Sequence, residues 1–168
     1  MEFVFIGKIV DTHGIKGELR IRSDFEKKDV VFKKGTTLYI GNNKIEEVIN
    51  TYRVHKDFDM VTFDGYDNIN QVLKYLKENV YVNRDDLELS SADYLLSDLI
   101  GMEVIEDEEV LGKVVDYVYN KSNILLVIEG RISFYIPYQG DFILKVDLIN
   151  KKIYTNNAKG LILWELIF

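Results

Sequence analysis

The chain contains no cysteine, one proline and two histidines among its 168 residues. The absence of cysteine excludes disulfides and thiolate chemistry, and with only two histidines it argues against a structural zinc site. The longest apolar runs, 124–128 and 161–164, are far shorter than the roughly 20 residues of a membrane-spanning helix. Met1-Glu2-Phe3 lacks the basic and apolar start of a signal peptide. We therefore predict a cytoplasmic protein with no membrane contact, no metal and no cofactor.

The charge is divided unevenly along the chain. Residues 1–84 hold 14 Lys and Arg against 13 Asp and Glu, whereas residues 85–168 hold 7 against 15. The net charges are +1 and −8, so the two halves are expected to have different partners. The second half would repel free phosphate backbone and would complement a basic protein.

Short strand-like runs separated by turn residues occur in both halves. Leu19 and Ile21 alternate with charged neighbours, which is the period of a half-buried strand. This pattern predicts strands at 3–10, 18–22, 36–40, 44–52, 60–63, 102–105, 113–119, 124–128, 132–136, 142–146 and 152–155. Many short strands with regular turns predict a mainly β protein made of two small β-barrel domains.

One helix is predicted near the end of the first domain, at 68–78. Four apolar residues at helical spacing form a stripe that predicts core packing, and Asp67 or Asn68 is suited to cap its start: Ile69, Val72, Leu73 and Leu76. The polar stretch 85–93 is predicted to be a linker between domain 1–84 and domain 94–168.

A run near the start of the chain, Thr12-His13-Gly14-Ile15-Lys16-Gly17-Glu18, lies between two predicted strands. Glycine adopts positive φ at little cost, so the two glycines mark sharp backbone turns. The run is compatible with a plain connection between strands and with a functional loop. Because no nucleophile accompanies His13, we predict that the protein is not an enzyme.

Positive charge in the first half gathers around the strand 18–22. Arg20 and Arg22 project from one face of that strand, close in sequence to several lysines: Lys16, Lys27, Lys28, Lys33 and Lys34. Such a patch is compatible with RNA phosphates and with ordinary solvated charge. The acidic run 106–109 lacks the ligand spacing of a calcium loop, and its position predicts a solvated hairpin turn.

The segment 93–99 combines an aromatic residue and leucines with carboxylates. This composition is typical of a protein-binding patch and is equally compatible with a plug at the end of a barrel. The apolar tail 160–168 is either an interaction patch or a segment that folds back onto the second domain.

Four segments in order, 12–18, 98–104, 110–114 and 136–138, resemble the ribosome maturation factor RimM family. The first resembles the family's N-terminal signature and the others its PRC-barrel domain. The resemblance implies a six-stranded N-terminal barrel, a PRC-type barrel and a non-enzymatic factor. It also implies binding to the free small ribosomal subunit and to small-subunit ribosomal protein number nineteen, a basic protein of the subunit head, in support of head assembly and rRNA processing.

The family usually carries two tyrosines and often a tryptophan before Asp-Leu-Ile-Gly. Tyr94 matches the first tyrosine, but Leu95 and Leu96 replace the other aromatic residues, so the contact is expected to use different neighbours. The resemblance implies a ribosomal-protein-binding set at Tyr94, Leu95, Leu96, Asp98 and Leu99. With the basic strand, it implies a subunit or rRNA contact at His13, Gly14, Lys16, Gly17, Glu18, Arg20 and Arg22.

The predicted function is therefore binding without chemistry by a monomer. The alternative is a general RNA-binding β-barrel protein, whose affinity would depend on Arg20 and Arg22 and fall steeply with salt. Two further alternatives are an enzyme that uses His13 or the acidic hairpin, and a PRC-type module that serves another complex.

Overall fold

The computed structural model describes the backbone of residues 1–167 and the side chains of residues 1–162. The chain divides into two compact units, Met1–Leu89 and Ser90–Phe168. The division falls within the polar stretch 85–93, whose role as a linker stays a prediction. Leu87 in that stretch is buried, at the end of a 3-10 turn over Arg84–Leu87.

The first unit is a closed barrel in the strand order β1-β2-β5-β4-β3-β6. Its strands are β1 (Phe3–His13), β2 (Glu18–Arg22), β3 (Thr37–Ile40), β4 (Ile45–His55), β5 (Phe58–Phe63) and β6 (Asn79–Asn83). Leu19 and Ile21 are fully buried, as their alternation predicts, while Arg22 is exposed. A short helix, α1 (Lys28–Val31), follows β2 and buries Val31. The mainly β prediction is confirmed.

The predicted helix 68–78 is shorter in the structure. It consists of α2 (Ile69–Val72), followed by a 3-10 turn at Leu73–Tyr75. The Asn68 side chain caps α2 by accepting a hydrogen bond from the amide of Asn70. Val72 is fully buried but Leu73 is 46% exposed, so the predicted core stripe is only partly in the core.

Pairing with β1 explains why the helix stops. It also explains where β6, a strand that the sequence analysis did not predict, begins. Lys77 adopts φ +68°, which is incompatible with a continuing helix. Its amide donates to the carbonyl of Ile9, and the amide of Ile9 donates to the carbonyl of Glu78. The next residues form β6, which pairs with both β1 and β3 and thereby closes the barrel.

The second unit is a six-stranded sheet in the order β10-β9-β8-β7-β12-β11, with β10 and β11 at its two ends. Its strands are β7 (Glu103–Glu106), β8 (Glu109–Asn120), β9 (Asn123–Glu129), β10 (Ser133–Pro137), β11 (Ile143–Asp147) and β12 (Lys152–Thr155). Neighbouring strands are antiparallel except β12 and β7, which are parallel. The hydrophobic core includes Leu126, Ile128, Phe134 and Ile136.

Most of the apolar tail lies in a helix, α3 (Ala158–Ile167), which the sequence analysis did not predict. Leu161 and Ile162 pack against the core of the second unit, so the fold-back prediction is confirmed for these two residues. The rest of the predicted tail, 163–168, lies outside the described side chains.

Glu106 corrects the prediction of a fully solvated acidic turn. Its side chain is buried, and its carboxylate accepts hydrogen bonds from the amides of Ala158 at 2.8 Å and Lys159 at 3.1 Å. A carboxylate is favourable at this end of α3, where backbone N–H groups lack helical partners. Asp107 and Glu108 do form an exposed turn, with positive φ at both.

Candidate functional site

Within the run 12–18, residues 14–17 form the turn between β1 and β2, and the start of α2 contacts this turn. Gly14 and Gly17 have φ of +69° and +94°, which confirms the predicted sharp turns. The carbonyl of Ile15 accepts a hydrogen bond from the amide of Ile69 at 2.8 Å. A Cβ on Gly17 would lie 3.5 Å from the backbone of Asn68. The turn is therefore positioned by contacts outside its own hairpin.

His13, at the end of β1, contacts residues from two other strands. Arg20 Nη2 on β2 lies 2.9 Å from His13 Nδ1, and the ring of His55 on β4 lies 5.4 Å from the ring of His13. A guanidinium has no acceptor, so Nδ1 of His13 must be the acceptor in this hydrogen bond. The arrangement orders two imidazoles and a guanidinium at one end of the barrel.

Glu18 is engaged in an ion pair with Arg53 on β4. Arg53 donates to both carboxylate oxygens of Glu18, with N–O distances of 2.7 and 2.9 Å. These hydrogen bonds, opposed by burial, lower the pKa of Glu18, and His13 and His55 act in the same direction. Glu18 therefore holds Arg53 in place rather than presenting a free carboxylate.

Burial lowers the pKa of His55, and the neighbouring Arg53, His13, Lys56 and Arg20 lower it further. Burial is the larger cause and the nearby cations the smaller one, since both disfavour the charged imidazole. We call His13, Arg20, Arg53 and His55 the histidine–arginine cluster.

Arg20 and Arg22 share a face of β2, as the strand period predicts. Both guanidinium carbons lie 5.7 Å from the centre of the Phe58 ring on β5. At this distance the ring attracts both cations and holds them side by side. A depression of about 440 Å³ adjoins the cluster and is lined by His13, Gly14, Ile15, Lys16, Glu18 and Thr62.

Arg53, His55 and Phe58 were absent from the predicted site. They lie 35 residues or more beyond Glu18 in the sequence, in the hairpin of β4 and β5. The pairings of β2 with β5 and of β5 with β4 bring them to the end of β1. Their spacing in the sequence carries no signal of this proximity.

In the second unit, the predicted ribosomal-protein-binding set is mostly interior. Leu95 and Leu99 are fully buried and Leu96 is 5% exposed. A carboxylate oxygen of Asp98 accepts a hydrogen bond from the amide of Leu95 at 2.8 Å. Leu96 and Leu99 belong to the core of the second unit, as the barrel-plug alternative predicts, and Leu95 is fully buried, so the three leucines offer little surface to a partner. The binding role of the set stays a prediction.

Tyr94, like Asp98, is half-buried. Its hydroxyl is hydrogen-bonded to the hydroxyl of Tyr138, and the two rings border a depression of about 320 Å³. The remaining lining residues lie between β10 and β11 and on β11 itself: Gln139, Gly140, Ile143, Leu144, Lys145 and Val146. The surface available near Tyr94 is therefore built with Tyr138 rather than with the adjacent leucines.

The described residues hold no cluster of three or more His, Asp and Glu side chains that could bind a metal ion. Over the same part of the chain, no helix has the length and apolar character needed to cross a membrane.

A model of the RimM N-terminal domain matches residues 4–87, and a model of the RimM PRC barrel domain matches residues 96–161. The chain belongs to the RimM family. The ribosome maturation factor RimM of Staphylococcus aureus strain bovine RF122 / ET3-1 is 38% identical over 164 residues, which cover 95% of this chain and 98% of that relative. The RimM of strain JH9 is 37% identical over the same shares.

Two solved structures are also similar to this chain. A 16S ribosomal RNA processing protein RimM from Pseudomonas aeruginosa shares 22% identity, with a TM-score of 0.47 over 92% of this chain and 97% of that one. The N-terminal domain of RimM from Thermus thermophilus shares 21% identity, with a TM-score of 0.44 over 53% of this chain and 98% of that one. RimM proteins are ribosome maturation factors and not enzymes, so the non-enzyme prediction is confirmed by family membership.

Proposed function

We propose that this protein assists assembly of the head of the small ribosomal subunit and the accompanying rRNA processing, by binding a basic ribosomal protein and the free subunit. It acts in the cytoplasm as a monomer, without a cofactor. The partner protein is small-subunit ribosomal protein number nineteen. The observation that carries the proposal is the net charge of −8 over residues 85–168 in a chain of the RimM family.

Charge complementarity supports the choice of a basic partner. An acidic domain attracts a basic protein before contact and raises the rate of productive encounter. It also shields the partner's cations from non-specific phosphate until the rRNA site has formed. The first domain, near neutral at +1, does not oppose this attraction.

The contact surface on the second domain centres on Tyr94 and Tyr138. An aromatic ring beside a depression is a common anchor in protein interfaces. Leu95, Leu96 and Leu99 support this surface from the core, and Asp98 fixes the backbone of the segment. The first domain contacts the subunit or its rRNA through the 12–18 turn and β2, at His13, Gly14, Lys16, Gly17, Arg20 and Arg22, with Glu18 positioning Arg53.

Calorimetric titration with the isolated ribosomal protein tests this proposal. At about 150 mM salt, where exposed charges are screened beyond about 8 Å, we expect binding that Tyr94→Ala weakens by about tenfold or more. Tyr135→Ala is the matched control, since Tyr135 is an exposed tyrosine of β10 outside the depression. The affinity of the Tyr135→Ala variant should stay within about twofold of the affinity of the unchanged protein.

Absence of binding by the folded wild-type chain would overturn the proposed partner. If a small-subunit rRNA fragment still bound, with affinity dependent on Arg20 and Arg22, the general RNA-binding alternative would replace the proposal. Binding that Tyr94→Ala and Tyr135→Ala weaken equally would retain the partner and reject the site.

A further inference from the structure

We propose that the histidine–arginine cluster binds RNA phosphate and takes up a proton when it does so. The choice of RNA as the ligand rests on the proposed function, while the coupling between proton and phosphate rests on the contacts and charges within the cluster.

The first step of the argument is that cations predominate at this site. Arg20 and His13 come from β2 and β1, Arg53 and His55 from β4, and Lys56 from the turn that follows. The carboxylates facing them are Glu18 on β2, which Arg53 already engages in two hydrogen bonds, and Asp11 on β1, whose oxygen lies 3.9 Å from Arg20 and which is 60% exposed. A site with this balance attracts an anion.

The second step is that the contacts of the two histidines oppose protonation of the cluster in the absence of an anion. His13 Nδ1 accepts the hydrogen bond from Arg20, which requires an unprotonated nitrogen. The ring of His55 is 5.4 Å away, and burial, together with the charges of Arg53 and Arg20, lowers the pKa of His55. Two imidazoles so close together also disfavour double protonation.

The third step is that a bound phosphate reverses this preference. A phosphate at the cluster offsets the repulsion among the cations and accepts hydrogen bonds from an imidazolium. Once His13 is protonated, its Nδ1 can no longer accept from Arg20, and the guanidinium is released toward the phosphate. Binding and protonation therefore favour each other, as linkage requires.

The flat groups around the cluster favour RNA over an acidic peptide. Two guanidiniums lie over the Phe58 ring, two imidazoles lie beside them, and Ile15 at the adjoining depression is 75% exposed. Planar cations and rings stack on unpaired bases in RNA recognition, whereas a carboxylate side chain makes no use of them. Arginine also matches the geometry of a phosphate with its fork of donors.

The test uses the full chain and a single-stranded RNA of about twelve nucleotides, a length within the site sizes of small RNA-binding barrels. Between about pH 7.5 and pH 6 we expect the affinity to rise about fivefold, because a bound phosphate favours the imidazolium and the complex therefore takes up a proton over this range. Calorimetry in two buffers of different ionisation enthalpy should show net uptake of about half to one proton per RNA bound.

Three variants separate the parts of the proposal. The double variant His13→Gln and His55→Gln should lose the pH dependence and the proton uptake, because glutamine keeps the polarity of the site but cannot take up a proton in this range. Arg20→Gln should weaken binding by about tenfold and reduce the salt slope by about 0.7. Lys34→Gln removes an exposed cation of the same domain outside the cluster and should leave pH dependence and proton uptake intact.

Three results would overturn the inference. The first is RNA affinity that does not depend on pH, and the second is pH dependence that survives in the double histidine variant. The third is preference for a polyglutamate peptide over the RNA. If the chain failed to bind RNA but still bound the ribosomal protein in a Tyr94-dependent manner, this inference would fail while the proposed partner stood.

Discussion

The two sheets of this chain each have six strands, but they differ in whether their predicted contact residues reach the solvent. In the closed barrel, Arg22 and Lys16 are exposed while Leu19 and Ile21 fill the interior. In the second unit, three of the predicted contact residues, Leu95, Leu96 and Leu99, are themselves buried. Alternation along a strand separates contact and core residues, whereas the leucines at the 3-10 turn Leu96–Leu99 and just before it are buried together.

The two sheets are also completed by different means. Backbone pairing of β6 with β1 and β3 closes the first. The second keeps two end strands and gains α3, which begins at the buried carboxylate of Glu106 and contributes Leu161 and Ile162 to the core. The first sheet is therefore closed by backbone hydrogen bonds between strands. The second is completed by a helix whose start is held by one side chain.

The largest expected effect comes from removing the Glu106 carboxylate that holds the start of α3. Glu106→Ala removes the acceptor for the amides of Ala158 and Lys159 and for the hydroxyl of Thr155. We expect the second unit to lose about 3 kcal/mol of unfolding free energy, because buried donors are left unpaired. Hydrogen exchange of the β7 and β12 amides, followed in urea, reports this transition.

Glu108→Gln is the matched control for this experiment. Glu108 lies in the exposed turn of the same acidic run, so its change should stay below about 0.5 kcal/mol. Equal effects of the two substitutions would show that the charge of the run, rather than the cap, stabilises α3.

A smaller effect is expected from the turn of the first domain. Gly17→Ala places a side chain at φ +94° and within 3.5 Å of the Asn68 backbone. We expect a loss of about 1–2 kcal/mol, measured by hydrogen exchange of β2 amides, because an L residue is strained at that φ. Gly140→Ala has open space at its Cβ and should change exchange in its own unit little. A neutral Gly17→Ala would mean that the turn accepts a side chain at position 17 without backbone strain.

The smallest effect concerns acid sensitivity of the first domain. The pKa of Glu18 is lowered by its hydrogen bonds with Arg53, so the pair stabilises the fold above the usual carboxyl pKa and is lost as pH falls through the lowered value. The pKa of His55 is also lowered, so below about pH 6.5 the unfolded chain takes up this proton first, and stability falls further.

Unfolding in urea over a pH series checks this expectation. Glu18→Gln should cost about 0.5–1 kcal/mol near neutral pH, as expected for a partly exposed ion pair, and should flatten the decline in acid. His55→Gln should flatten the curve just below pH 6.5 and leave the carboxyl region unchanged. A steeper acid decline in either variant would contradict the assigned directions.

Local chemistry made much of the molecule predictable. Alternating residues gave β2, and the glycines at positions 14 and 17 gave a turn at positive φ. The helix prediction failed beyond Tyr75 because the backbone of Lys77 and Glu78 pairs with β1, a long-range gain that helical periodicity does not register. The helix α3 was missed because its apolar residues show no clear face in the sequence.

The sequence by itself determined the mainly β class, the division of charge into +1 and −8, and the RimM resemblance. Composition, period-two alternation and the order of motifs can all be read along the chain without knowledge of which distant residues meet. Tertiary structure alone decided that Arg53 and His55 join His13 and Arg20, and that Glu106 anchors α3. These contacts span 35 to 53 residues. Strand pairing and core packing select such partners, and neither leaves a local pattern in the chain.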